Sequence, residues 1–365
     1  YKETNIYLFT SYHNEKQIKD IKQKSLSHKR LKILKVSVPL RGNNIFKNLV
    51  NFCIFFCKCY FFSKKLKPSL VFGTSGRLGT NLLATLIANS KKVKYILDIR
   101  DLFSLNLKDI LLRKFPFFKS IIFNILIRIE KKMYKNALTI NVVSKGFFNF
   151  YESININTKG WTFIPNGVDE IFIRATASQY KKNNSTKIVL YAGNLGFGQG
   201  LDKFVTNFSK GLPSNWIFKI IGNGNHFNSI KNLIKTEKLN NTFLSKPIRR
   251  EKLIRLYKKA DVLLINLNNF ECLEYVIPSK SFELGLMKKP IIAGVAGYTA
   301  KFLKKEIPNV FIFTPCDGKD ANIALQKSIK KKNISDKKSI LLLKKYYRKK
   351  LMNDYIELLL KKWKI

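Results

Sequence analysis

With 365 residues, 45% of them hydrophobic, the chain is too long for one ordinary core and too apolar to be disordered, so two globular domains are expected. It carries 68 basic and 23 acidic residues, a net charge of +45, and no zinc-finger or RNP signature accompanies that charge to mark a nucleic-acid module. No run of eighteen apolar residues occurs, so no segment reads as a membrane-spanning helix.

The chain begins at Tyr1 rather than Met, so its N-terminus is expected to be incomplete and an upstream signal stays open. Strand-like runs fall at 6–9, 33–38, 70–72, 95–97 and 139–143. Between the second and third lies 44–67, an aromatic stretch with five lysines and no acid. Its apolar core is broken by Lys58 and too short to span a bilayer. That leaves an interfacial helix with snorkelling lysines, or a helix packed on the first sheet. Residues 113–135 repeat the basic, aromatic character. The polar loop Gly73-Thr74-Ser75-Gly76-Arg77-Leu78-Gly79 follows the third strand, and Asp98-Ile99-Arg100-Asp101-Leu102-Phe103 follows the fourth. Side chains there sit at the C-terminal edge of a sheet, where α/β sites form. Asp101 is a candidate to orient or deprotonate an acceptor hydroxyl and Arg100 to meet a phosphate; a capped loop with an internal ion pair is the structural alternative.

Residues 174–184 are polar and unpatterned and mark a domain boundary near 170–186. The expected division is 1–172, 186–338 and a basic final helix within 339–365. Strand-like runs resume at 187–191, 217–221, 262–265, 290–293 and 310–313, and helix-like stretches separate most of them, which predicts an α/β fold with parallel sheets. After 187–191 comes Gly193-Asn194-Leu195-Gly196-Phe197-Gly198-Gln199-Gly200, then a helix-like stretch. Strand, glycine-rich loop and helix is the layout of a phosphate-binding turn, and also of a plain tight connection. Further on, Pro278-Ser279-Lys280-Ser281-Phe282-Glu283 opens a short helix that stops before Pro290. A helix start offers backbone N–H groups to phosphate oxygens, and a glutamate one turn inside can accept from sugar hydroxyls. The pair suits a nucleotide diphosphate lying across the ends of parallel strands.

The charge is spread evenly: 30 basic and 10 acidic residues in 1–172, 38 and 13 in the remainder. A lysine-rich codon bias, an anionic membrane surface and nucleic acid would each accompany such an excess. Five cysteines, three of them in one apolar stretch, argue for reduced thiols in a cytosolic compartment, and neither they nor the three histidines have the spacing of a zinc site.

In order along the chain, Ile164-Pro165-Asn166-Gly167-Val168-Asp169 ending in Phe172, Tyr191-Ala192-Gly193-Asn194 with Gln199-Gly200-Leu201-Asp202, Ile221-Gly222-Asn223-Gly224, Ala260-Asp261-Val262-Leu263-Leu264 and the 278–283 motif resemble the retaining GT-B glycosyltransferases of family 4. The wording Gly-Asn, Gln-Gly and Pro-Ser-Lys-x-Phe-Glu is similar to the branch of bacterial surface-polysaccharide transferases that includes L-fucosamine transferases. The chain departs from the broader family in two places. Asn194 and Gln199 stand where an arginine and a lysine are usual, and Tyr275 stands eight positions before Glu283, where a second glutamate is usual.

The resemblance implies two Rossmann-like domains with parallel sheets facing across a cleft, and a final helix packing back on the N-terminal domain. It implies transfer of a sugar from a nucleotide-diphosphate sugar, UDP-linked, to a polyprenyl-linked or glycan acceptor in surface-polysaccharide (O-antigen or capsule) assembly. The enzyme would lie at the inner face of the cytoplasmic membrane, held by its anionic surface, with no cofactor, metal or nucleic acid. The implied donor residues are Gly193, Asn194, Gly196, Gln199, Gly222, Arg249, Pro278, Ser279, Lys280, Phe282 and Glu283, with Arg250 an alternative to Arg249. Arg77, Asp98, Arg100 and Asp101 would meet the acceptor, and Asp101 and Glu283 are the candidate catalytic carboxylates. An inactive GT-B partner protein and a basic nucleic-acid-binding protein are the competing classes.

Overall fold

The computed structural model describes residues 5–12, 31–38, 45–114, 119–176, 186–330 and 336–364. The N-terminal half begins with a parallel pair, β1 (Ile6–Tyr12) and β2 (Leu31–Ser37). It continues through α1 (Ile45–Ser63), β3 (Leu70–Ser75), α2 (Leu78–Ser90), β4 (Lys94–Ile99), α3 (Phe103–Lys114), α4 (Lys119–Lys135), β5 (Thr139–Val142), α5 (Gly146–Ser153) and β6 (Thr162–Phe163). Strands β3-β4-β5-β6 form one sheet in that order, parallel throughout. One face of α1 is core: Cys59 is fully buried and packs with Leu83 and Ile87 of α2 and Val36 of β2. The other face leaves Phe61 and Phe62 61% and 48% exposed. The packed-helix reading of this stretch therefore holds, with aromatic surface left over.

The second half runs α6 (Glu170–Thr176), β7 (Lys187–Asn194), α7 (Leu201–Lys210), β8 (Trp216–Asn223), α8 (Phe227–Thr236), β9 (Thr242–Ser245), α9 (Arg250–Lys259) and β10 (Val262–Asn266). A 3-10 turn (Glu271–Glu274), α10 (Lys280–Gly285), β11 (Ile291–Gly294), α11 (Gly297–Glu306), β12 (Val310–Phe313), α12 (Gly318–Lys330), α13 (Asp336–Tyr346) and α14 (Arg348–Lys364) complete it. Its six strands are parallel in the order β12-β11-β10-β7-β8-β9. Both faces are covered, which is why its strands read as continuous apolar runs. Alternate residues of β7 serve opposite cores, Leu190 and Ala192 one, Val189 and Tyr191 the other.

All ten strand-like runs are strands. The sequence reading missed β6 and β9, two edge strands of two and four residues that are too short for a period-2 pattern to register. The single final helix expected from 339 onward is two helices. Val168 forms a parallel bridge with Tyr347, accepting from the Arg348 N–H (3.0 Å) and donating to the Tyr346 carbonyl (2.7 Å). Those two backbone groups are thereby withdrawn from the helical ladder, and the helix breaks there. Helix α14 then runs back along the first sheet: Tyr355 meets Phe72 of β3, and Lys362 Nζ reaches Thr139 Oγ1 and the Gly160 carbonyl.

The two halves are also joined by the connection after β10. Cys272 sits in the N-terminal core and its N–H donates to Asp109 (2.9 Å); Lys108 pairs with Glu271; Ser144 donates to the Tyr275 carbonyl.

Candidate functional site

The order of the six-stranded sheet locates the site. From β7 the chain winds outward through β8 and β9, then returns to the other side of β7 at β10 and winds outward again through β11 and β12. Helical connections leave β7 and β10 in opposite directions, so a crevice opens between their C-terminal ends. The loops leaving these two strands are stitched together. Asn266 Nδ2 donates to the Gln199 carbonyl (2.7 Å), Asn268 Nδ2 to the Phe197 carbonyl (2.7 Å), and the Asn268 N–H to the Gly198 carbonyl (2.9 Å). Asn266 and Asn268 are 1% and 2% exposed. They were not singled out in the sequence, where their only signal is two amides closing an apolar strand.

Lys280, at the start of α10, crosses this crevice. Its ammonium stands over the Cα of Gly193, where any Cβ would collide with it, and 5.7 Å from the Tyr191 ring centroid. Burial pulls its pKa down to about 8, against the opposing pull of Glu283. Glu283 accepts from Arg250 Nη2 at 3.0 Å. Burial raises its carboxyl pKa, with Arg250 opposing. Arg250 also pairs with Asp169 and lies 4.9 Å from the Phe172 ring centroid; Arg348 pairs with the other oxygen of Asp169. The result is a line of alternating charge, Glu283–Arg250–Asp169–Arg348, joining the crevice to α14.

Several expected donor residues have other partners. Arg249 is exposed at the entry to α9, and it is Arg250 that turns onto Glu283. Phe282 is fully buried against Tyr346 and Phe302, so it anchors α10 rather than facing a ligand. The Ser281 N–H and Oγ both donate to the Pro278 carbonyl, so the six-residue α10 has already spent a backbone donor of its first turn. Asn194 Nδ2 donates to Gln199 Oε1 (2.9 Å), as does the Gly196 N–H, so these side chains fold the loop on itself. Gly222 sits against the Gly193 carbonyl with no room for a side chain. Ser279 is exposed and Pro278 half-buried. Tyr275 packs against Phe150 of the N-terminal half, 5.7 Å between ring centroids, so the position eight before Glu283 serves the joint between halves.

On the facing side, Asp98 is 4% exposed and accepts from Thr74 Oγ1 (2.7 Å), Asn141 Nδ2 (2.6 Å) and Arg100 Nε (2.9 Å). Three donors leave it little capacity for an acceptor, contrary to the sequence reading; it positions Arg100, whose Nη1 reaches Asn166 (3.2 Å). Asp101 differs. No hydrogen bond engages its carboxylate among the described residues, and it rests against the backbone of Gly76, where a Cβ would collide with it. It has accessible surface, yet the surrounding walls push its pKa up to about 6, with Arg100 opposing. It lies close enough to the Cys272 thiol to help raise that pKa too. Arg77 is exposed at the entry to α2. Among the described residues no group of three His, Cys, Asp or Glu side chains could hold a metal ion, and no helix is long and apolar enough to cross a membrane.

A family model described as glycosyl transferases group 1 matches residues 173–358, which contain the crevice, the Lys280–Glu283 pair and most of α14. The chain belongs to this family. It is a glycosyltransferase of the GT-B fold, with two Rossmann-like domains built on parallel sheets. A sucrose-phosphate synthase from Thermosynechococcus elongatus is similar in structure, with a TM-score of 0.68 at 14% identity over 98% of this chain and 99% of that one. Anabaena HepE in complex with UDP-glucose gives 0.66 at 12% over 97% and 99%. An α,α-trehalose-phosphate synthase (UDP-forming) from Burkholderia vietnamiensis gives 0.67 at 10% over 97% and 99%. At such identities the likeness is one of fold. No curated protein matches the sequence.

Proposed function

We propose that this glycosyltransferase moves a sugar from a UDP-linked donor to a lipid-linked or glycan acceptor, with retention of anomeric configuration, in bacterial surface-polysaccharide assembly. The observation that carries the reading is the Lys280 ammonium, half-buried over Gly193 at the point where the strand order reverses and beside Glu283. A cation short of hydrogen-bond partners at that point suits a diphosphate, whose charge grows as the sugar departs. Glu283 accepts the ribose hydroxyls once Arg250 shares it. Asp101, exposed and with its pKa near 6, orients or deprotonates the acceptor hydroxyl. The UDP-glucose held by the HepE structure supports the choice of base. The family 4 assignment and the fucosamine-transferase branch rest on the loop and 278–283 motifs. No metal is needed in this scheme, so turnover in EDTA is expected to be undiminished.

The acceptor half carries the membrane reading. Phe61 and Phe62 are exposed at the end of α1, and Lys64 lies over the Phe61 ring, 5.0 Å from its centroid. Such a rim, on a chain with a net charge of +45, suits the anionic cytoplasmic leaflet.

The test is calorimetric titration with UDP, GDP, ADP and CMP, repeated on Glu283→Ala. Binding of UDP that weakens by about tenfold or more in the variant is expected, as for loss of a charge-assisted hydrogen bond. A folded protein that binds none of the four would overturn the donor site and favour an inactive partner.

A further inference from the structure

A second cavity, of about 540 Å³, lies at the opposite edge of the N-terminal sheet. It opens beside Thr139, the first residue of β5, whereas the acceptor candidates lie at the C-terminal ends of β3 and β4. Its walls come from three separate elements. Lys131 and Lys135 belong to the last turns of α4, Lys159 and Trp161 to the loop entering β6, and Lys362 to the last turn of α14. No carboxylate lines it. Lysine is abundant throughout this chain, so the charge alone would carry little; the arrangement carries more. Lysines near the end of α4 complement the helix dipole, but that account does not extend to Lys159 or Lys362. Lys362 uses two of its three donors on the Gly160 carbonyl (2.8 Å) and Thr139 Oγ1 (2.9 Å), which fixes its ammonium at the cavity wall, and burial lowers its pKa. Trp161 is held edge-on by Tyr134 and Tyr151, with centroids 5.4 and 5.3 Å away, and remains half-exposed as a fixed aromatic wall. Four lysines from three elements, with no carboxylate among them, line one concave, aromatic-walled space and make it a region of positive potential that favours an anion. The volume is that of a small-molecule site.

We propose that this cavity binds a phosphate-bearing anion, with the phosphate among Lys131, Lys135, Lys159 and Lys362 and the group it is attached to against Trp161. The site is distinct from the donor crevice and does not depend on how that crevice is read. The same chemistry fits a soluble phosphate ester or a phospholipid headgroup.

The protein labelled with 5-fluorotryptophan has three reporters, Trp161, Trp216 and Trp363. Trp161→Phe assigns the relevant ¹⁹F resonance. Inorganic pyrophosphate is expected to shift the Trp161 resonance saturably. The midpoint should rise about tenfold or more in the triple variant K131E/K135E/K159E, whose three side chains are exposed and whose loss leaves the core intact. The single variant K159E should move it in the same direction by less. Lys280→Met, which removes the ammonium over Gly193 in the donor crevice, should leave the Trp161 titration unchanged. If pyrophosphate is silent but phosphatidylglycerol vesicles shift Trp161 through the same three lysines, where phosphatidylcholine vesicles do not, the anion is a lipid headgroup. No movement with either probe, or movement that the triple variant leaves unchanged, would overturn the proposal.

Discussion

The two sides of the crevice spend their charges differently. On the proposed donor side the candidate cation Lys280 is held in a half-buried place without a hydrogen bond among the described residues, and its neighbour Glu283 is only partly neutralised by Arg250. On the proposed acceptor side Asp98 and Arg100 satisfy each other, Thr74, Asn141 and Asn166, whereas Asp101 has no hydrogen bond among the described residues. A polar residue at a strand end is therefore poor evidence of a ligand until its hydrogen bonds are counted. The same residue type builds a scaffold at Asp98 and leaves a carboxylate without a hydrogen bond among the described residues three positions later.

The largest effect expected from this contrast is at Asp101. Asp101→Asn keeps the shape and removes the base. Turnover should fall by roughly 10²–10⁴-fold with UDP affinity unchanged, by steady-state kinetics alongside calorimetry. Asp98→Asn, by contrast, should show as lower stability rather than as a selective loss of turnover. Equal losses of turnover and nucleotide affinity in Asp101→Asn would erase the distinction between the two sides.

Lys280→Met comes next and should act in two directions. Nucleotide affinity should drop about 10–100-fold, as for loss of a charge-assisted contact. Stability should rise. The folded pKa of about 8 lies below the ordinary lysine value, so at pH 7 the folded state pays to keep Lys280 charged, and that penalty disappears as pH climbs from about 8 toward the ordinary value. A methionine of similar length removes it, so denaturant titration at pH 7 should show a gain of roughly 1–3 kcal/mol. A variant that is both weaker in binding and less stable would mean that Lys280 is a structural residue.

The same two groups set the pH dependence. Below about 8 Lys280 is protonated and UDP affinity should be flat; above it affinity should fall by up to about tenfold per unit, and this limb should vanish in Lys280→Met. Turnover at low substrate should rise as pH increases through about 6, where Asp101 loses its proton, and Asp101→Asn should abolish that limb.

Much of this architecture can be read from the chain. Continuous apolar runs between helical stretches are what buried parallel strands require, and glycines at 193, 196, 198 and 200 mark the turn that leaves β7. What could not be read is which polar side chains find each other across long separations. Asn268 is buried because Phe197, 71 residues away, offers it a carbonyl. Tyr275 looks like a damaged site residue until its ring is seen on Phe150. The helix break at Tyr347 depends on Val168, far along the chain, and no local signal announces it.

The pair Arg249 and Arg250 carries the smallest and most exacting prediction. Adjacent and identical in chemistry, they cannot be ranked from sequence. Helical geometry separates them: one residue of rotation at the entry to α9 leaves Arg249 in solvent and turns Arg250 toward Asp169 and Glu283, over the Phe172 ring. Arg249→Ala should change UDP affinity and stability by less than about 0.5 kcal/mol, as a surface substitution does. Arg250→Ala leaves Asp169 and Glu283 without their shared cation and strips a guanidinium from Phe172. A loss of roughly 1–2 kcal/mol in stability is expected, with a few-fold change in UDP affinity because Glu283 is no longer held in place. Arg250→Lys should recover little, since one ammonium cannot bridge two carboxylates as a planar fork does. Were the two alanine variants indistinguishable, the alternating line from Glu283 to Arg348 would not hold the crevice to α14, and the donor side would lose its main tie to the helix that reaches back to the acceptor half.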